Sequence, residues 1–303
     1  MEVILMGFSR DIKTNIALFL IFLLVYVITC VGNCIIICVI IFSSQLHVPM
    51  YFFLCILSFL DLSYSTTVTP KLLSDLLSTV PEISIGACAI QLYLILLLGG
   101  TECLLLTLMA YDRYLAICRP LHYPVLMKWR TCYWLAVIMG LLGFIMFFLP
   151  SLLMPLPICY PNQLNHFMCE VLALLKLACV KTYLRELLIF YMSFMSLLIP
   201  FIFILISYTC ILASVLKIRT TGRSKAFSTC TSHIAVVGLF FGTGMTMYFG
   251  PPSMYSSNRE KYISVFYGIL TPMLNPIIYS LNNRDVKVSL KKVLSKIKQY
   301  EMI

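Results

Sequence analysis

Seven apolar segments, each near or above the roughly 20 residues a helix needs to cross a bilayer, lie at 16–42, 49–72, 88–112, 131–150, 187–213, 226–250 and 261–281. Lipid offers no hydrogen-bond partner to the backbone, so such segments must be helical. Seven of them joined by mostly short polar links make an all-α membrane protein, a seven-transmembrane bundle read as one domain over residues 1–303. Only 11% of residues are charged, whereas soluble domains carry about 25%. The opening MEVILMGFSRDIKTN has no basic run leading to a cleavage site, so span one is expected to act as an uncleaved anchor.

The net charge of +10 is sorted by side rather than pooled for a polyanion. With the tail placed in the cytoplasm, 14 of the 22 Lys and Arg residues fall inside, against three acids there. The outer side then carries eight basic and seven acidic residues. This asymmetry predicts an extracellular N-terminus and accounts for the basicity without nucleic acid. Most of the 13 cysteines sit within apolar runs, where they serve as small hydrophobes. No paired membrane-protease aspartates, zinc motif or serine elbow occurs, so no enzyme is expected. His47, His122, His166 and His233 show no metal-ligand spacing and are expected to form structural hydrogen bonds, with His166 kept as a weak metal candidate.

A ruler of 1.5 Å per helical residue sets Asp61 about 18 Å above Pro49 and Glu102 about 15 Å above Asp112. The same ruler sets Asn33 about 14 Å above Phe42, and Asn275 about 14 Å above Arg284. Four polar side chains from four spans therefore share one layer. Carboxylates inside a membrane are costly and must face the bundle interior. Asp61 and Glu102 then either hold a small cation such as sodium or form a protonated hydrogen-bonded knot. Pro200 and Pro276 each remove a backbone donor and are expected to kink spans five and seven. Past span seven, residues 284–298 set Val286, Leu290, Val293, Leu294 and Ile297 at helical spacing among lysines, which reads as an amphipathic helix on the inner leaflet.

Several strings carry a closer likeness: Gly32-Asn33, LHVPMYFFL from Leu46, LSFLDLSYSTTVTPKLL from Leu57, and MAYDRYLAICRPLHYP from Met109. Ser207-Tyr208, KAFSTCTSHIAVV from Lys225 and PMLNPIIYSLNN from Pro272 continue the series in order. Over almost its whole length the chain resembles a rhodopsin-type (class A) G-protein-coupled receptor, and more narrowly a vertebrate olfactory receptor. The resemblance implies an odorant receptor in the plasma membrane of sensory cilia that activates a stimulatory, olfactory-type heterotrimeric G protein and raises cAMP. By position it assigns coupling and activation to Asp112, Arg113, Tyr114, Tyr208, Asn275, Pro276 and Tyr279. It also implies two disulfides, Cys88–Cys169 and Cys159–Cys179, on the oxidising side where such bonds persist.

The odorant pocket expected by position is lined by Ile95, Leu96, Gly99 and Gly100 of span three, and Met192, Ser193 and Ser196 of span five. Phe241, Met245 and Tyr248 of span six and Tyr267 of span seven close it. The Gly99-Gly100 pair is read as leaving space beside the helix. No acid or base stands in this set, which favours a small, mostly apolar volatile. Two departures from the family pattern stand out: no Asn-X-Ser/Thr sequon occurs, and span six carries Phe240-Phe241-Gly242 where Phe-Tyr-Gly is usual. Competing readings are a transporter that uses Asp61 and Glu102 as carriers, and the same receptor type working outside the nose.

Overall fold

The computed structural model describes residues 2–9, 11–153, 158, 162–179, 183–217, 222–250, 257–283 and 285–292. It contains seven helices long and apolar enough to cross a membrane: Ile12–Phe42, Pro49–Leu77, Ile85–Cys118, Trp129–Leu152, Tyr183–Leu216, Cys230–Tyr248 and Asn258–Ser280, spans one to seven. Most outrun the apolar stretch that foretold them, because a helix continues past the hydrocarbon layer wherever its backbone bonds close internally. Span three shows the consequence. It runs through Cys118, so Asp112 and Arg113 lie within the helix and not at its end.

Spans four, five and seven each contain one widened π turn, at Phe144–Phe148, Phe194–Leu198 and Phe266–Leu270. Each turn stops just short of a proline: Pro150, Pro200 or Pro272. A proline ring collides with the carbonyl four residues back. Those carbonyls belong to Met146, Ser196 and Gly268, each inside the widened turn, where the i→i−5 bond has displaced them.

Pro276 is accommodated differently. It sits inside Thr271–Asn282, and the carbonyl its missing N–H would have served is that of Pro272. Asn33 Nδ2 of span one donates to that carbonyl at 3.0 Å. The approach is close enough that a Cβ on Gly32 would lie 3.0 Å from the Pro276 ring. The Gly32-Asn33 pair is thus the complement of the Asn275-Pro276 pair.

At one end, strands β1 (Glu2–Leu5), β2 (Glu82–Ser84) and β3 (Gln163–Leu164) form a small sheet in the order β2-β1-β3. Val3 pairs with Ile83 antiparallel, and Leu5 with Leu164 parallel. These strands bury Val3, Leu5, Ile83 and Leu164 against Cys88 and Cys169. Phe8 then stacks on Phe22 and Phe167, while Lys261 Nζ holds the Gly7 carbonyl and Asn165 Oδ1. The N-terminal segment is therefore a built cap over the bundle. At the opposite, basic end, Asn283 Oδ1 accepts from Asp285 N and Val286 N, opening the helical residues 285–292. Val286 and Leu290 of that helix pack on the main core; Val293, Leu294 and Ile297 fall outside the described residues.

Candidate functional site

Under the cap, the loop between spans four and five is tied to the top of span three. Cys88 and Cys169 form a disulfide with Cα atoms 5.4 Å apart. Gln91 Oε1 accepts from Cys169 N at 2.9 Å, and Gln91 Nε2 donates to the Thr67 carbonyl, extending the tie to span two. Cys179 is also disulfide-bonded. Cys159, its expected partner, lies outside the described residues, although the Ile158–Ala178 bridge sets the two loop segments side by side. His166 is fully buried with both ring nitrogens engaged, Nδ1 by Met168 N and Nε2 by Ser264 Oγ. Burial drives its pKa down to about 3. Among the described residues no cluster of metal-ligating side chains occurs, and His166 is accounted for structurally.

Glu170 roofs the site. One carboxyl oxygen accepts from Leu172 N and Ala173 N, capping the short helix Val171–Leu175, and the other accepts from Tyr248 OH at 3.3 Å. Burial pushes this carboxyl from its ordinary 4.5 up to about 7; the Glu260 carboxylate adds to the rise, and the three donated hydrogen bonds oppose it. A carboxyl with a higher pKa folded than unfolded contributes full stability only below its unfolded pKa, and that contribution disappears as pH climbs through the folded value. Thermal stability should therefore fall by up to about 3 kcal/mol from roughly pH 4 to pH 8. Glu170→Gln should flatten that slope in a melting series; a slope unchanged in the variant would assign the dependence to another group.

Below the roof lies a cavity of about 210 Å³. Of the eleven side chains expected to line it, nine do so: Ile95, Leu96, Gly99, Gly100, Met192, Ser193, Ser196, Tyr248 and Tyr267. Phe241 and Met245 do not. Span six turns Phe240 and Gly244 to the cavity, while Phe241 is fully buried with its ring 5.8 Å from that of Phe201, and Met245 packs on the main core. Residues 240, 244 and 248 form one helical face and 241, 245 and 248 another, so the two differ only by a rotation that spacing cannot set.

Two further expectations about the cavity are corrected. The room beside Gly100 is taken: a Cβ there would stand 2.2 Å from the Phe147 ring of span four, whereas the nearest atom to a Cβ on Gly99 is 3.8 Å away, on Tyr64. The wall is also not free of ionisable groups, since Glu102 and Arg185 both line it. Glu102 belongs to the polar layer, and Arg185 enters from the first turn of span five, above the depth at which a pocket residue was sought.

The polar layer beneath the cavity is assembled around Asn275, whose Nδ2 donates to both carboxylate oxygens of Asp61 at 3.0 Å. Glu102 stands within electrostatic reach of Asp61. Glu102 Oε1, Asn275 Oδ1 and Ser65 Oγ are buried without a partner. Three orphaned oxygens near a carboxylate are the donor set a hard cation takes, so these residues fit sodium.

At the basic end, Asp112 accepts a 2.9 Å hydrogen bond from Tyr123 OH of the following loop. It stands within the field of Arg113 but makes no ion pair with it among the described residues. Arg113 Nη2 has no partner. Around it, Tyr208 OH contacts His233 Nδ1 at 2.6 Å, and Tyr114 packs with Tyr208 against Ile211, Val215 and Cys230. Tyr279 OH is buried and unpartnered, within the electrostatic field of Arg113.

The chain matches the olfactory receptor family model over residues 22–297. It is 45% identical to olfactory receptor 2A7 of Mus musculus over 97% of its own length and 95% of that protein. To olfactory receptor 2B6 of Mus musculus it is 46% identical over 98% and 95%, and to olfactory receptor 2B2 of Homo sapiens 47% identical over 97% and 83%. With seven membrane-crossing helices and the loop disulfide in place, the chain belongs to the olfactory receptor family of class A G-protein-coupled receptors.

Proposed function

We propose that this receptor binds a small volatile odorant in the cavity beneath the sheet and answers by activating a stimulatory, olfactory-type G protein at its basic end, raising cAMP. One observation carries the reading: a single helix, span three, lines the cavity with Ile95, Leu96 and Gly99 and holds Arg113, with an unpartnered guanidinium nitrogen, in its opposite half. The sheet and disulfide suit the oxidising extracellular side, and the basic end suits the cytoplasm, which puts the N-terminus outside. The setting is the plasma membrane of olfactory cilia. An odorant acts only through its difference in affinity for the two states of the bundle.

Asp61 and Glu102, with Asn275 and Ser65, hold a sodium ion in this reading. The ion supplies positive charge to a layer that otherwise sets two carboxylates against each other. A transporter reading uses the same carboxylates as carriers. Odorant-evoked cAMP in cells without accompanying substrate or ion flux is the expected result. Flux without cAMP favours the transporter.

A further inference from the structure

The cavity wall is mostly apolar along spans four and five, interrupted by Ser151, Arg185, Ser193 and Ser196, and carries unsatisfied phenols along spans two and seven. Phe147, Leu188, Ile189 and Leu197 offer only hydrocarbon. Of the hydroxyls on the wall, that of Tyr248 is engaged by Glu170, and that of Ser196 turns to the Ser193 carbonyl. Tyr64 and Tyr267 are different. Both line the cavity, both hydroxyl oxygens are buried, and neither has a hydrogen-bond partner. Their rings meet edge to face with centroids 6.3 Å apart. The two hydroxyls approach each other, and that of Tyr267 also approaches Ser264, but none of these approaches has full hydrogen-bond geometry.

Two buried phenols with nothing to donate to carry a desolvation cost that a suitable ligand removes. The ligand atom that removes it twice over is an oxygen with two lone pairs and no hydrogen of its own. An alcohol brings a donor that needs a further acceptor, for which the wall offers Glu102 Oε1 in the polar layer and not beside the two phenols. An amine brings a charge whose counterpart on the wall, Glu102, already shares its layer with Asp61. A hydrocarbon leaves both hydroxyls as they are.

Resting on the reading of this cavity as the odorant site, we propose that Tyr64 and Tyr267 form a two-donor clamp that selects neutral carbonyl-bearing volatiles, namely aldehydes, ketones and esters. The carbonyl oxygen sits between the two hydroxyls, and the hydrocarbon chain extends toward Phe147 and Leu197. At about 210 Å³ the cavity is smaller than the roughly 300–1,000 Å³ of sites for drug-sized ligands, which suits chains of modest length. Of the pair, Tyr267 stood among the pocket positions expected from the sequence, and Tyr64 of span two did not.

The test is a cAMP dose-response series on the full chain with octanal, 2-octanone, octane, 1-octanol, octylamine and octanoate, run beside Tyr64→Phe and Tyr267→Phe with surface labelling of each. The carbonyl compounds should be the most potent. Each phenylalanine variant should weaken them about tenfold or more, leaving any 1-octanol or octane response within a factor of about two. Carbonyl potency unchanged in both variants, or amine or carboxylate responses that exceed the carbonyl ones, overturns the clamp while leaving an odorant receptor in place. Silence to all six compounds overturns the clamp, and silence across a broad volatile library as well overturns the odorant reading itself. Should one variant miss the surface, the ranking on the unaltered chain and the other variant decide.

Discussion

Cys88→Ser and Cys169→Ser are each expected to remove the receptor from the cell surface, with surface labelling falling to background while total protein remains detectable. The two cysteines enclose a separation of 81 residues. On the chain-entropy account, opening a loop of that size costs about 4–5 kcal/mol, a large share of the 5–15 kcal/mol that holds a folded protein together. The loss also spreads locally. Cys88 and Cys169 are both buried in the cluster that includes Val3, Leu5, Ile83 and Leu164, so releasing the loop loosens the sheet as well. Glu170, next along the chain, would lose its hold on Tyr248 and with it the roof of the cavity. Normal surface levels in both variants would show that the cap stands on its hydrogen bonds and packing alone.

Arg113→Ala should do the opposite: leave the receptor at the surface and abolish odorant-evoked cAMP. The reason lies in how the residue is held. Removing one member of a buried ion pair strands the other charge at a cost of several kcal/mol, but Asp112 is held by Tyr123 and makes no ion pair with Arg113. The substitution therefore breaks no ion pair, and Asp112 keeps its Tyr123 hydrogen bond while losing the nearby positive charge. What disappears is a planar, always-charged group with spare donors, set among Tyr208, His233 and Tyr279. Arg113→Lys keeps the charge without the fork and should recover only part of the response. Surface-delivered Arg113→Ala that still signals would remove Arg113 from the coupling role.

The spans were legible because lipid leaves the backbone a single option, and the polar layer was legible because helical rise is constant. That ruler brought Asp61 and Asn275 to one depth, and they meet at 3.0 Å. Other features had no such metric. The cap sheet is built from strands of two to four residues, too short to show alternation. Phe240 and Gly244 replace Phe241 and Met245 in the wall because depth fixes height and leaves rotation free. Arg185 was missed since it lies at the outermost turn of its span. Pro150 and Pro272 could have been read beforehand, as each sits two residues past the end of a π turn.

The departure at Phe241 also changes meaning. It stands behind the cavity wall, fully buried on Phe201, so the missing hydroxyl affects packing between spans five and six and not contact with a ligand. The Tyr64–Tyr267 pair went unnoticed for a related reason. Its significance lies in two absent hydrogen bonds, and a sequence does not show what a side chain lacks.

The central claim, that occupancy of the outer cavity sets the state of the Arg113 end, is tested most directly by nucleotide exchange on a purified stimulatory G protein. The receptor is placed in lipid discs with and without an active odorant, beside Leu96→Trp, which fills the cavity from span three. Odorant should accelerate exchange on the unaltered receptor and fail to do so on Leu96→Trp, while basal exchange stays the same in both. Equal odorant-driven acceleration with the cavity filled would contradict the account and place the ligand site elsewhere.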